Sequence, residues 1–147
     1  MLSKDFKEFI ELLNKNKVRY LVVGGYALAF HGHPRYTKDI DILIDSSLEN
    51  SDRLLAVLDQ FGFSSLGLKT EDFTEPGQII QLGYPPNRID LLTGIAGLNF
   101  DELYSRRETV EIEGMNVDFI DREGLKASKR IAGRLQDLAD IDNLKGD

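Results

Sequence analysis

The stretch that most constrains the fold of this chain covers residues 21–45, with the sequence LVVGGYALAFHGHPRYTKDIDILID. Its apolar start, Leu21–Val23, predicts a buried strand. The two glycines that follow open a short predicted helix, which ends at Phe30. After a polar loop, a second apolar run from Ile40 to Ile44 predicts another buried strand. Together these elements fit one βαβ-sized segment.

Two aspartates stand at the start of the second predicted strand. Residues two apart in a strand point to the same face, so Asp39 and Asp41 place two carboxylates side by side while Ile40 and Ile42 turn into the core. Adjacent carboxylates repel each other and resist desolvation. A divalent cation removes that cost, and Mg²⁺ commonly takes one or two carboxylates plus substrate phosphates. The pair therefore indicates a site for Mg²⁺, with Mn²⁺ as an alternative.

The glycine pair indicates a second part of the same site. Gly24 and Gly25 let the backbone approach a ligand closely, and the N–H groups at the start of the helix face that ligand. Arg35 lies in the loop between the glycines and the aspartates. A phosphate-binding turn, metal-binding carboxylates and an arginine are thus predicted within one segment.

Composition is typical of one soluble globular domain spanning residues 1–147, since 41% of the residues are hydrophobic and 29% charged. No apolar run approaches the roughly 18–20 residues of a membrane helix, and the N-terminus does not read as a secretion signal. The absence of cysteine excludes disulfides and thiolate metal sites and favours a cytoplasmic location. The net charge of −7 argues against non-specific coating of nucleic acid.

The order of predicted elements favours an α+β, or mixed α/β, domain with a central mixed sheet flanked by helices. The helices are expected to follow Ser3, to run from Ser47 to Gly62, to cover 100–106, and to follow Asp121 within a C-terminal helical segment of about 121–147. The first strand is expected to cover 18–23, and further strands 63–68, 79–84 and 88–92. A loop is expected at 70–77, and a hairpin at 109–119 around Glu113-Gly114.

A third acid, Asp90, lies inside the apolar run Ile89–Leu92. On its own, such an acid is as often an edge position or a turn neighbour. Together with Asp39 and Asp41 it indicates a two-metal site, because three carboxylates on neighbouring strands can hold two Mg²⁺ ions for phosphoryl transfer. Arg88 shares the strand face of Asp90, and an ion pair between the two is an equally good interpretation of that arginine.

These motifs together resemble the nucleotidyltransferase superfamily with the DNA polymerase β-like palm, especially its small single-domain bacterial members. Some of those members belong to toxin–antitoxin or abortive-infection systems. The resemblance covers residues 18–92 and extends to the basic tail. It is carried by Gly24-Gly25-Tyr26-Ala27, Arg35, Thr37, Asp39-Ile40-Asp41 and Asp90, and in the tail by Lys126, Lys129-Arg130, Gly133-Arg134, Asp137 and Asp140.

The resemblance implies a role for each matching residue. Asp39 and Asp41 would bind catalytic Mg²⁺, and Asp90 would bridge a metal or act as general base on the acceptor hydroxyl. Gly24 and Gly25 would face the β- and γ-phosphates of a nucleoside triphosphate. Many members have Gly-Ser at this turn, so here the phosphate contact would come from backbone N–H groups alone.

Thr37 joins the candidate nucleotide-binding residues with Arg35 and Lys38, which flank the acids and either neutralise triphosphate charge or are solvated loop cations. Lys129 and Arg130 belong to a stripe of cations on one helix face, which either lines the pocket and binds triphosphate or is solvated and paired with acids.

The implied function is a nucleotidyltransferase that moves a nucleoside monophosphate from a triphosphate, such as ATP, to a hydroxyl acceptor and releases pyrophosphate. The acceptor, which is a tRNA or other RNA, a protein or a small molecule, stays open, as does the base. The alternative is a weakly active or inactive binding or regulatory module, such as a toxin–antitoxin component with a cognate partner protein. A Zn²⁺ hydrolase built on His31 and His33 is disfavoured, because two histidines at this spacing without further ligands are weak evidence for zinc.

Overall fold

The computed structural model describes residues 2–32, 39–84 and 87–132 of the 147-residue chain. None of the helices within these ranges is long and apolar enough to span a membrane. The elements in chain order are α1 (Lys4–Lys15), β1 (Tyr20–Val23), α2 (Gly24–Phe30), β2 (Asp39–Ile44), α3 (Leu48–Phe61), a 3-10 helix (Ser64–Leu66), α4 (Glu71–Thr74), β3 (Ile79–Leu82), β4 (Arg88–Leu92), α5 (Phe100–Ser105), β5 (Glu108–Ile112), β6 (Met115–Phe119) and α6 (Arg122–Ala132).

The described strands form one mixed sheet in the order β3-β4-β2-β1-β6-β5. At its centre β1 and β2 are antiparallel, while β4 and β6 run parallel to their inner neighbours β2 and β1. The hairpins β3-β4 and β5-β6 supply the two edges. The expected fold class, a central mixed sheet flanked by helices, is confirmed.

The central strands are buried as their apolar sequences predict. All four residues of β1 are buried. In β2, Ile40 and Ile42 are fully buried, whereas Asp39 and Asp41 are partly exposed. Burying an aliphatic side chain of this size contributes roughly 1.5–3 kcal/mol. This alternation fixes the face on which Asp39 and Asp41 emerge, because a shift of one residue would turn both carboxylates into the core.

Local capping explains where the predicted helices begin and end. The hydroxyls of Ser3 and Ser47 accept hydrogen bonds from the backbone N–H groups of Phe6 (3.2 Å) and Asn50 (3.3 Å), as expected of N-caps. Gly62 ends α3 with a φ of 98°. The carboxylate of Asp121 likewise accepts from Gly124 N–H at 2.9 Å and caps α6. These helix boundaries were predictable from sequence.

Three local expectations were wrong. Residues 63–68 form no strand but the 3-10 helix Ser64–Leu66, in which Leu66 N–H bonds Phe63 C=O at 3.1 Å. The expected loop at 70–77 contains the helical turn α4, because Phe73 is fully buried and anchors it to the core. Strand β1 begins at Tyr20 rather than at residue 18, since Lys17 adopts a positive φ of 57° that turns the chain. The part of the expected C-terminal helical segment beyond residue 132 lies outside the described residues.

Candidate active site

Parallel pairing of β2 with β4 brings the three predicted acids together. Asp41 stands opposite Asp90 in the register, and Asp39 stands opposite Arg88. On the other side of β2, Asp41 pairs with Val23, the last residue of β1. The cluster therefore lies at the end of β1, where α2 begins.

Arg88 holds two of the three carboxylates. Its Nε donates to Asp90 Oδ1 at 2.9 Å, and its Nη2 donates to Asp90 Oδ2 at 3.0 Å and to Asp39 Oδ2 at 2.6 Å. The two contacts to Asp90 form the bidentate fork that arginine makes with a carboxylate. The ion pair that the sequence suggested for Arg88 and Asp90 is confirmed, and Asp39 joins it.

Asp41 lies in a less favourable environment. Burial raises the pKa of its carboxyl from 3.8 to about 6, and the carboxylates of Asp90 and Asp39 act in the same direction, although the Arg88 guanidinium opposes them. The ionised form of Asp41 is thus disfavoured by lost hydration and by like charge. A cation placed beside it would relieve both.

Gly24 makes room for the Asp41 carboxylate. The residue has a φ of 66°, and a Cβ added there would overlap Asp41 Oδ2 and come within 3.0 Å of Asp41 Cγ. The glycine pair alone pointed to phosphate binding and did not reveal this packing relationship, because Gly24 and Asp41 lie on different elements. The signal in the sequence was a glycine directly after the strand that pairs with the Asp-x-Asp strand.

A cavity of about 280 Å³ opens beside Asp41 and Gly24. Its polar lining includes Lys129 of α6, which is only 9% exposed. The cavity thus brings a buried cation from the last described helix to the acidic cluster. Its other walls, which no sequence motif marked, are formed by Val23, Gly77, Ile79, Leu92, Gly94, Ile95, Ser128 and Ile131.

The remaining predicted residues are distributed differently. Gly25 occupies the first turn of α2, and Arg130 is exposed on α6 and is not among the residues that line the cavity. The predicted nucleotide ligands Arg35, Thr37 and Lys38 fall outside the described residues, as does His33. His31 is buried, with its Nε2 at 2.9 Å from the carbonyl oxygen of Ile120. His31 is therefore a packed side chain with a hydrogen-bonding partner on the backbone.

The acidic cluster offers the ligand type that a divalent cation prefers, but the spacing of its side chains does not suit one. Oxygen-rich carboxylate sites suit Mg²⁺ and Mn²⁺, and Asp41 would gain from a neighbouring positive charge. Within residues 2–32, 39–84 and 87–132, however, no three Asp, Glu, His or Cys side chains stand close enough to hold a metal ion as they are. The residues fit the ion in kind and in strand position, and Arg88 Nη2 bridges two of the carboxylates, those of Asp39 and Asp90.

One known protein family matches nearly the whole chain. The sequence profile of the family described as "Nucleotidyltransferase of unknown function (DUF6036)" matches residues 2–145. Among proteins of curated function, none matches the chain significantly in sequence.

Solved structures resemble the fold. A protein of Thermotoga maritima described as a nucleotidyltransferase superposes with a TM-score of 0.60 at 16% identity, over 96% of this chain and 90% of that one. The lincosamide antibiotic adenylyltransferase LnuA, solved with lincomycin bound, gives 0.56 at 15% identity, over 99% and 97% of the two chains. A nucleotidyltransferase-like antigen of Paracoccidioides brasiliensis gives 0.55 at 18%, over 95% and 74%. At these identities the likeness concerns the fold.

Proposed function

Because the chain belongs to the nucleotidyltransferase family whose profile covers residues 2–145, we propose that it transfers a nucleoside monophosphate from a triphosphate to a hydroxyl acceptor, with a divalent cation as cofactor. Pyrophosphate is the other product. The observation that supports this most is the grouping of Asp39, Asp41 and Asp90 on adjacent strands, with Asp41 lining a cavity that Lys129 also lines.

The carboxylates of Asp39 and Asp41 are the proposed ligands of Mg²⁺, or of Mn²⁺. Such an ion neutralises triphosphate charge and stabilises the attacking and leaving oxygens. Asp90 is proposed as the third acid, which either shares the ion or accepts the proton of the acceptor hydroxyl. Its place opposite Asp41 in the strand register keeps it within the same cluster. The remaining work of the protein is to position substrates and to stabilise charge, since phosphoryl transfer needs little covalent help.

The triphosphate is proposed to lie between the Gly24-Gly25 turn and Lys129. The backbone N–H groups of the turn are the donors on one side, and the Lys129 ammonium supplies a positive charge on the other. Lysine binds phosphate as a point charge, and its withdrawal from water strengthens that attraction. Arg130 and the loop residues Arg35, Thr37 and Lys38 are proposed as additional phosphate contacts.

The acceptor class to test first is a small hydroxylated molecule. One protein of similar fold is an adenylyltransferase of lincosamide antibiotics, and the net charge of −7 disfavours bulk RNA. The apolar cavity walls Ile79, Ile95 and Ile131 offer contact surface to such a compound or to the nucleobase. Protein hydroxyls and tRNA are the acceptor classes to test next.

Thermal unfolding with each of the four nucleoside triphosphates, with and without Mg²⁺, tests the proposal. A ligand at about one hundred times its Kd stabilises the folded state by roughly 2.7 kcal/mol, which raises Tm by about 5–10 °C in a protein of this size. We expect such a rise with Mg²⁺ and at least one triphosphate, and its loss in Asp39→Ala/Asp41→Ala.

A matched control is Asp59→Ala/Glu111→Ala, which removes the same charge from exposed positions on α3 and β5. This variant is expected to keep the ligand-dependent rise. If no triphosphate stabilises the wild-type protein under any of these conditions, the transferase proposal fails, and a binding or regulatory module becomes the better description.

A further inference from the structure

Arg88 occupies the acidic cluster in the manner of a bound cation. A single nitrogen, Nη2, donates both to Asp39 Oδ2 at 2.6 Å and to Asp90 Oδ2 at 3.0 Å, while Nε reaches the second oxygen of Asp90 at 2.9 Å. The guanidinium therefore joins carboxylates from two neighbouring strands. It draws together the groups that the proposed function assigns to a metal.

The strand register creates this arrangement. Arg88 stands opposite Asp39 across the β2–β4 pair, and it shares a strand face with Asp90, which lies two residues further along β4. The side chains of Arg88, Asp39 and Asp90 are 26%, 29% and 8% exposed. Because the group is largely withdrawn from water, its charge-assisted hydrogen bonds are screened less than surface ion pairs.

Arg88 Nη2 lies between Asp39 Oδ2 and Asp90 Oδ2, where an ion shared by these two oxygens would have to lie. Mg²⁺ requires oxygen ligands at about 2.0–2.1 Å in nearly octahedral geometry, whereas Arg88 Nη2 holds its two oxygens at 2.6 and 3.0 Å. An ion shared by those two oxygens would therefore displace the guanidinium and draw the carboxylates inward, whereas an ion held through Asp39 Oδ1 and Asp41 would leave Arg88 in place. In the described part of the chain, no three acidic side chains are close enough to hold an ion as they stand.

We propose that Arg88 is an internal counter-ion that neutralises Asp39 and Asp90 in the metal-free enzyme, and that a divalent cation binds by displacing it. The inference rests on the proposed function, which makes the cation a cofactor. Arg88 lowers the apparent metal affinity, because only the fraction of molecules with a displaced guanidinium can accept the ion. It also spares the folded protein a cluster of unneutralised carboxylates when no metal is bound.

The alternative role for Arg88 has the opposite consequence. If the guanidinium stayed in place and merely oriented the carboxylates, its removal would weaken metal binding. If it left to make way for the ion, its removal would strengthen metal binding. The sign of the change thus separates a competing residue from a positioning residue.

The experiment measures binding of Mn²⁺ and of Mg²⁺ alone, by calorimetry and by the electron paramagnetic resonance signal of free Mn²⁺. Arg88→Gln is expected to bind Mn²⁺ about tenfold more tightly than the wild type, with a lower Tm in metal-free buffer. Arg88→Lys keeps the charge but not the bidentate fork, so it should bind with intermediate affinity. The control Arg53→Gln removes the same charge from an exposed pair with Glu49 and should stay within about twofold of the wild type.

A direct readout accompanies the affinities. The Nε–H resonance of Arg88 in ¹⁵N-labelled protein can be assigned by its absence in Arg88→Lys. Mg²⁺ is used for this measurement because it is diamagnetic. We expect the resonance of the Mg²⁺-saturated protein to be shifted from its position in the metal-free protein. In Asp39→Ala/Asp41→Ala, Mg²⁺ should leave the spectrum unchanged. If Arg88→Gln does not fold, the comparison of Arg88→Lys with the wild type carries the test.

The outcomes separate the inference from the function on which it rests. Equal or weaker metal binding by Arg88→Gln, or an unchanged Arg88 resonance at Mg²⁺ saturation, overturns the counter-ion role and leaves the transferase proposal intact. If neither the wild type nor the Arg88 variants bind a divalent cation, even with a nucleoside triphosphate present, the proposed function itself fails.

Discussion

The carboxylate of Asp41 fills the space that any side chain at position 24 would need. A Cβ on Gly24 would overlap Asp41 Oδ2 and lie 3.0 Å from Asp41 Cγ. The glycine that begins α2 and the second acid of β2 are thus packed as one unit. Whatever binds at the Gly24-Gly25 turn also lies next to Asp41, so a change at the turn is transmitted to the acid without an intermediate.

Gly24→Ala should therefore displace Asp41 and destabilise the protein. Gly67 provides a matched control, since its φ of 69° is close to the 66° of Gly24 but no atom lies within 4 Å of an added Cβ. Gly67→Ala carries only the cost of the left-handed backbone, roughly 1–2 kcal/mol. Gly24→Ala adds overpacking of about 1–3 kcal/mol. Urea denaturation should show this difference, and the triphosphate-dependent rise in Tm should disappear only in Gly24→Ala. Equal losses of stability would contradict the packing relationship.

Asp41 should make the stability of the cation-free protein depend on pH. Its pKa is 3.8 in the unfolded chain and about 6 in the folded protein. Below the lower value both states are protonated, so Asp41 carries no penalty. As pH rises towards 6, the unfolded chain loses the proton while the folded protein retains it, and stability falls. Above about pH 6 the loss is complete and amounts to about 3 kcal/mol at most.

Asp41→Asn should remove this dependence. In chelator-treated buffer at pH 7.5, the variant is expected to unfold at a higher denaturant concentration than the wild type, and the two should converge near pH 4. Mg²⁺ should restore stability to the wild type at pH 7.5 and have no such effect on Asp41→Asn, which should also lack transferase activity. Parallel stability curves between pH 4 and 7.5 would show that Asp41 titrates normally.

Lys129→Met should weaken triphosphate binding without unfolding the protein. The lysine is 9% exposed and lines the cavity with Asp41, and methionine keeps most of its apolar length. We expect at least a tenfold loss of affinity, since a charge-assisted hydrogen bond contributes about 1.5–3 kcal/mol. Arg130→Met should have a smaller effect because Arg130 is exposed. Lys15→Met, at the exposed end of α1, controls for the loss of a helical lysine. Unchanged binding by Lys129→Met would remove the residue from the site.

Much of this framework could be predicted from local sequence. The apolar alternation in β2 determines which face carries Asp39 and Asp41, and the serine caps determine where α1 and α3 begin. The Glu113-Gly114 turn adopts two positive φ values, 52° and 81°, as expected for a tight hairpin. These features depend on neighbours in the chain, which periodicity and turn chemistry describe well.

The features of the site that could not be predicted depend on contacts between elements that are distant in the sequence. The prediction of a strand at 63–68 failed because Gly67 turns the chain with a φ of 69° after the 3-10 helix. The fork from Arg88 to Asp90 was foreseeable from their spacing, but the bridge to Asp39 requires the β2–β4 register. The cavity is lined by residues of α6, β1, β2, β3 and β4. Elements so far apart in the sequence leave no local pattern from which their contact could be predicted.

The edge residue Ile79 tests whether the cavity binds substrate. It lies on β3, lines the cavity and is 63% exposed, so a substrate that enters the cavity would cover part of its side chain. Leu48 is a matched control, since it is 64% exposed at the start of α3 and does not line the cavity. Both Ile79→Gln and Leu48→Gln remove a similar apolar surface.

The two variants should fold with similar stability, because neither side chain is buried in the protein alone. A substrate that covers Ile79 would lose about 25 cal/mol for each Å² of apolar contact, enough for a several-fold weakening of binding. We therefore expect Ile79→Gln, and not Leu48→Gln, to reduce the triphosphate-dependent rise in Tm or to raise KM for the acceptor. A change confined to the triphosphate would place the nucleobase against β3, and a change confined to KM would place the acceptor there. Wild-type behaviour in both assays would mean that the substrates bind elsewhere along the acidic cluster.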